Sequence, residues 1–476
     1  MRKIPVSTFE HAAERTEQDY VGEVRIPAGK LYGVNSVRGY DNLSVSPLSI
    51  AHYPAFRDAF AQCKWAAALA NLDCGVISGA QSEAIVLACQ DIIAGNCDDS
   101  LIVDLLEGSG GTSTNMNFNE VVANRAQLFM GHPAGSYDIV HPNDQVNASQ
   151  STNDVYPAAL KIATHAMLGG LIGEVRQLAS QFDAKAAQFA DILHLGRTCL
   201  QDAQPMRLGQ LFSGYAALTH RLADELTSVR AKLHTLPLSG TAIGTGFGAP
   251  AAYRGAVYRH LGEITGVAYQ APENAFDAMQ NMDVFSRVSA ELRTCSAALA
   301  KIATDLTKLS SGPVGGIGEL KLPEAQAGSS IMPGKVNPVL PMAMIQLSFA
   351  VIGNDVAVAQ AVQAGELEIN HFEPVVASRV FDSITLLTQG IRRFREKCIA
   401  GLQADTARNL EHLTGSMAVA TALVPRLGYA KVSKLARQSV SEGRSLLAIM
   451  AESGVMSEAE AMVAIETASR PVFEAN

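Results

Sequence analysis

From Phe285 to Leu309 the chain reads FSRVSAELRTCSAALAKIATDLTKL, with apolar residues at Phe285, Val288, Leu292, Cys295, Leu299, Ile302, Leu306 and Leu309. The steps alternate between three and four residues for over three heptads, which is the period of a helix burying a narrow seam against other helices. Ser310-Ser311-Gly312-Pro313 follows as a stop. Working outward, a second long helix is predicted over 208–234, with Leu211, Tyr215, Leu218, Leu222, Leu226, Val229 and Leu233 on one face. A third follows Pro374 through Val380, Ile384, Leu387, Ile391 and Phe394, and a fourth covers 338–363. The fourth is apolar nearly all round (LPMAMIQLSFAVIG), as expected of a helix buried in a large bundle. Helices of this length are about twice the globular mean of about 11–12 residues, so the middle of the chain reads as an extended helix bundle.

Strand-like alternation is scarce, and the fold class is read as all-α. Residues before 146 mix short helices with loops rich in Gly, Pro and Asn, and those after 399 carry shorter helices broken by Pro425, Gly428, Gly443 and Gly454. The expected division is an N-terminal domain over 1–146, a central long-helix domain over 147–398 and a small helical domain over 399–476.

Of the 476 residues, 48% are hydrophobic and 17% charged, and the formal net charge is −9. So low a charge fraction suggests that other subunits cover part of the surface. A net negative chain lacks the basic face that nucleic acid or an anionic membrane needs. Seven widely spaced cysteines form no CxxC pair or zinc pattern and are read as reduced thiols. The N-terminus, MRKIPVSTFEHAAERTEQD, has no apolar core of a signal peptide, and no uninterrupted apolar run reaches about 18 residues. The expected setting is therefore cytoplasmic, with no membrane contact.

Four segments concentrate glycine and small polar residues amid apolar helices: 108–117 (GSGGTSTNMN), 149–154 (SQSTND), 196–202 (GRTCLQD) and 328–338 (GSSIMPGKVNP). Hydroxyls, amides and backbone N–H groups at helix N-termini hold carboxylates without much net charge, so a dicarboxylate is a natural guest. Taken singly, the first could be a plain turn and the second an ordinary helix cap. Gly108 to Thr112 lacks the Gly-Lys-Ser/Thr ending of a phosphate loop, and Gly244-Thr245-Gly246-Phe247-Gly248 does not complete a dinucleotide fingerprint.

The segment Gly328-Ser329-Ser330-Ile331-Met332-Pro333-Gly334-Lys335-Val336-Asn337-Pro338 resembles the signature of the aspartase/fumarase superfamily. The resemblance runs over almost the whole chain, from Arg15-Thr16-Glu17 through Tyr32-Gly33-Val34 and Arg38 to the C-terminal helices, and includes Thr241–Gly246 and Val351–Asp355. Leu200–Ala203, Leu322–Gly328, Asn337-Pro338-Val339, Ala364–Leu367 and Glu373-Pro374-Val375 lean towards its aspartate ammonia-lyase branch, whereas Gly316–Glu319 reads more like fumarase. The resemblance implies a three-domain fold whose long central helices complete their bundle by tetramerisation, with each active site shared among three subunits. It implies a lyase that deaminates L-aspartate to fumarate through an enediolate. The alternative within the same fold is another leaving group on succinate, either water or a substituted amine. A silent structural protein is the reading from outside catalysis.

By motif position, the resemblance makes Ser329 the general base, acting as alkoxide with help from Lys335 and the loop N–H groups. Thr112, Ser151, Thr152 and Ser330 would grip the carboxylate that becomes the enediolate. Thr198, Lys335 and Asn337 would hold the other carboxylate, with Asn153 near the leaving group. Gly328 and Gly334 would be the hinges of a lid. No metal and no cofactor is expected. Cys199 stands in the substrate site where relatives usually carry His or Gln, and Met342 where they commonly carry Glu. Asn35-Ser36 departs from the usual His or Gln followed by Thr, and His371 replaces an apolar residue and is read as packing.

Overall fold

The computed structural model describes residues 13–470, so the leader-free reading of the first twelve residues lies outside them. In chain order a short hairpin, β1 (Glu14–Gln18) and β2 (Glu23–Pro27), precedes α1 (Val34–Leu43), α2 (Pro54–Asp73), α3 (Gly79–Ile93) and α4 (Thr112–Phe129). The longest helix, α5 (Thr152–Gln188), is followed by a second hairpin, β3 (Leu193–Thr198) and β4 (Gln201–Arg207). Then come α6 (Leu208–Ala231), α7 (Tyr253–Thr265), α8 (Ala275–Gln280) and α9 (Asp283–Leu309). A two-residue strand β5 (Leu320–Lys321) leads to α10 (Val339–Gln363) and α11 (Glu373–Phe394), and its partner strand is β6 (Gln403–Ala404). Five shorter helices, α12 (Thr406–Gly415), α13 (Val419–Leu427), α14 (Tyr429–Glu442), α15 (Leu446–Glu452) and α16 (Glu458–Ala468), end the fold.

All eight seam residues read at 285–309 are buried along α9. Helices α6, α10 and α11 fall within a few residues of their predicted limits. One expectation needs revision. The region before 146 is not made of short helices: α2 runs 20 residues, α3 15 and α4 18. Pro54 opens α2 at a position whose N–H is not needed, and Ser78 with Gln81 closes a reciprocal capping box on α3. Helix α10 is only partly covered within the single chain. Met342, Phe349 and Val356 remain 42%, 66% and 59% exposed, because the rest of the chain covers only part of this all-round apolar helix.

The chain divides into two compact units. The first comprises 13–171, 225–293 and 350–386 of the described residues; the second comprises 172–224, 294–349 and 387–470. In the first, α2 packs on α3 and α7, and its Phe56 and Phe60 meet Phe118, Tyr156 and Phe381, with Phe60 and Phe118 stacked at 4.4 Å. Such ring pairs add about 0.5–1.5 kcal/mol each beyond the area they bury. In the second unit Phe182 of α5 meets Phe212 and Tyr215 of α6, and the Tyr215 hydroxyl donates to Asp305 of α9 at 2.8 Å. Leu413, Val419, Leu423, Leu446, Met450 and Ile465 form a terminal core that also takes in Leu195 of β3.

Two helices, Thr152–Gln188 and Val339–Gln363, are long and apolar enough to cross a membrane by length and composition, although neither holds an uninterrupted apolar run. The first is mostly buried in the fold, as a soluble core helix would be.

Candidate active site

The first unit carries Thr112, Ser151, Thr152 and Asn153 at the N-termini of two helices. Thr112 opens α4, and Thr152 opens α5 directly after Ser151. Helix N-termini present unpaired N–H groups and the positive end of the backbone dipole, the local positive potential that an anionic substrate needs on a negatively charged chain. Glu107 is buried and organises the loop before α4, accepting from the Ser109 N–H and hydroxyl and from Thr114.

Gly111 caps α4 at φ +85°, and its missing side chain is filled by the Tyr156 ring of α5. A Cβ at this position would sit 2.6 Å from the ring. The loop before Thr112 is therefore pressed against the first turns of the helix that carries Thr152 and Asn153. Gly111→Ala is expected to cost about 2–5 kcal/mol, adding the left-handed penalty to overpacking against a buried ring. A urea midpoint unchanged from the parent would contradict this packing.

Beneath the two helix ends lies a buried polar network. Asn115 donates from Nδ2 to Thr152 Oγ1 and to Asn147 Oδ1, both at 3.1 Å. Lys64 Nζ and Asn119 Nδ2 donate to the same Asn147 oxygen at 3.1 and 3.2 Å. Asp154 accepts from the backbone N–H of Ser151 at 2.9 Å and of Thr241 at 3.0 Å, which fixes the Ser151 turn to the 239–241 loop. Burial pushes the Asp154 carboxyl up to about 7 and the Lys64 ammonium down to about 7, each partly offset by the charge of the other. Asn35 and Ser36, unusual by motif, serve the structure, since their backbone and side chains all donate to the buried carboxylate of Glu120.

The second unit carries Thr198, Cys199, Ser329, Ser330, Lys335 and Asn337. Thr198 pairs with Gln201, so Cys199 and Leu200 form a two-residue hairpin turn with φ of +52° and +63°. Both signs match a type I′ turn, which normally recruits Asn and Gly. The segment read as a loop is thus the tip of β3–β4, and it presents Thr198, Cys199 and Leu200 exposed. One residue inside the tip, Arg197 makes a two-pronged pair with the fully buried Glu319, at 2.6 and 2.9 Å. His412 Nδ1 lies 2.6 Å from the same carboxylate. Burial alone would raise the Glu319 carboxyl, but Arg197 and the two nearby histidines, 194 and 412, outweigh it and hold it below its ordinary value.

The 328–338 segment is a closed loop. Ala327 bridges Val336, Gly328 N–H donates to the Lys335 carbonyl at 2.7 Å, and Asn337 Nδ2 donates to the Gly328 carbonyl at 2.8 Å. Ser329 Oγ accepts from the backbone N–H of Ile331 at 3.2 Å and of Met332 at 3.1 Å. Among the described residues, Lys335 makes no hydrogen bond to Ser329, and its side chain is exposed. Met342 stands on the first turn of α10 and is likewise exposed. Asn337, expected to bind substrate, spends its Nδ2 on closing the loop and keeps Oδ1 free of any described partner.

Comparison with known proteins matches residues 22–353 to the family described as Lyase and residues 419–467 to that described as Fumarase C C-terminus. The chain belongs to the aspartase/fumarase superfamily of lyases. Within the family it is 41% identical over 444 residues to an aspartate ammonia-lyase of Helicobacter pylori, covering 93% of this chain and 95% of the relative. The fold is similar to that of a fumarate lyase:delta crystallin from Brucella melitensis bound to cobalt, with a TM-score of 0.93 and 39% identity, covering 96% of this chain and all of that one. It is also similar to a class II fumarase from Schistosoma mansoni, with a TM-score of 0.90 and 28% identity over 97% of this chain and all of that one. Family membership accords with the all-α fold class expected from the long helices.

Proposed function

We propose that the chain is an aspartate ammonia-lyase, a carbon–nitrogen lyase that converts L-aspartate to fumarate and ammonia. The observation that carries this reading is the setting of Ser329, whose hydroxyl oxygen receives two backbone N–H groups. A serine hydroxyl is too weak a base unless its anion is stabilised, and donors aimed at the oxygen supply that stabilisation. The alkoxide takes the proton from the carbon next to one carboxylate. The electron pair moves into that carboxylate, giving a dianionic enediolate. Thr112, Ser151, Thr152 and Ser330 donate to it, the preorganised stabilisation that usually dominates such a barrier. Collapse of the enediolate forms the double bond and breaks the carbon–nitrogen bond, and nitrogen leaves with the pair. Thr198, Lys335 and Asn337 hold the second carboxylate, and Asn153 faces the nitrogen.

The reading includes a homotetramer whose active sites combine loops of three subunits. The exposed apolar side of α10 supports this, since Met342, Phe349 and Val356 would otherwise face water. Occlusion by other subunits also accounts for α10 without a membrane. A cytoplasmic setting accords with seven free cysteines.

Fumarate absorbs in the ultraviolet, so one assay tests the activity. Absorbance is expected to grow with L-aspartate and not with malate. Growth with malate alone would replace this reading with a hydratase, and growth only with N-substituted aspartates would assign Cys199 and Met342 to a bulkier leaving group. No growth with any of them would favour a silent structural protein.

A further inference from the structure

The geometry points to His371 as a specificity-determining residue for the leaving-group end of the substrate, acting beside Asn153. This rests on the aspartate reading above. In the first unit one small cavity is lined by Gly110, Asn153, Ile369, Asn370, His371 and Glu373, among others, so His371 and Asn153 border the same space. Gly110 stands at φ +65°, and a Cβ built on it would lie 3.1 Å from the His371 Cβ. The loop that leads to Thr112 thus runs directly along His371. The ring is oriented by Phe372, whose centroid lies 4.2 Å away.

The chemistry of the guest decides what this cavity offers. An ammonium group carries donors only and needs acceptors. Asn370 is engaged with its own loop: its Nδ2 donates to the carbonyls of Ala361 and Val362, and its Oδ1 accepts from the Phe372 N–H. Glu373 lines the same wall and is buried, and burial holds its carboxyl above the ordinary range, with the charge of Lys161 acting the other way. Asn153 spends its Nδ2 on the Ala242 carbonyl at 2.8 Å, which turns Oδ1 the other way as an acceptor. The His371 ring makes no hydrogen bond among the described residues, and in its neutral form one ring nitrogen is an acceptor. Asn153 Oδ1 and a neutral imidazole at His371 are therefore two acceptors on the cavity wall without a partner among the described residues.

The test separates the amine from the carboxylates. Succinate has both carboxylates and no amino group, so it serves as a competitive inhibitor blind to His371. In His371→Val the KM for L-aspartate is expected to rise about tenfold with kcat within about twofold, the loss of one hydrogen bond to a charged group. The Ki for succinate should stay within about twofold of the parent, and His371→Gln, which restores an acceptor, should recover most of the aspartate KM. An unchanged aspartate KM, or a succinate Ki that rises in parallel, overturns the assignment. Should the parent enzyme form no fumarate from aspartate, the functional reading itself fails, an outcome distinct from either of these.

Discussion

Ser329→Ala is expected to lower kcat for L-aspartate by about 10²–10⁴-fold or more while leaving the fold intact, because the variant keeps every donor and removes only the group that takes the proton. The two N–H groups released, those of Ile331 and Met332, belong to exposed residues, so water replaces the serine oxygen at little cost to stability. Succinate should still bind with near-parental affinity, since its carboxylates meet other residues. Ser330→Ala provides the contrast: it removes one enediolate donor and should cost less than Ser329→Ala. Turnover in Ser329→Ala close to that of the parent would remove this serine as base and give the proton to a different group.

The largest effect on stability is expected at Glu319→Ala. The substitution strands Arg197 with no counter-charge, and breaking one partner of a buried pair costs about 3–5 kcal/mol. The loss should appear as a lower urea midpoint and, because Thr198 follows Arg197 at the hairpin tip, as a higher KM. A dependence on pH comes with it. The folded carboxyl is held below its ordinary value, so its stabilising contribution is full above the unfolded value of about 4.3 and fades as pH falls through the folded one. Glu319→Gln should flatten that acid limb of the stability curve. A parental midpoint in Glu319→Ala would mean that water reaches Arg197 and the pair is not structural.

The long helices were legible because burial imposes a period, as the seam from Phe285 to Leu309 illustrates. Helix α5 escaped the same reading. Its apolar residues surround the axis, and Pro157 with the glycines at 169, 170 and 173 interrupts the pattern, although tertiary packing carries the helix through 37 residues. The β3–β4 hairpin was hidden because Cys-Leu is an improbable type I′ turn, and the signal that normally announces one is absent. In the candidate site the side chains expected to touch substrate were visible as motifs. Those that hold them in place were not: Lys64 meets Asn147 across 83 positions, Thr241 meets Asp154 across 87, and Arg197 meets Glu319 across 122. Long-range polar pairing leaves no local period in a chain. The approach of His371 to Asn153 is of the same kind, since only the folded chain brings the two to one cavity.

The tip at Cys199 and Leu200 bears on how such an enzyme would respond to laboratory evolution. Two residues with side chains hold backbone angles that glycine and asparagine adopt freely. A campaign selecting only for heat resistance would therefore drift towards Asn-Gly there, relieving the backbone while deleting an exposed thiol. Retaining those two residues during such a campaign would require a second selection, for turnover.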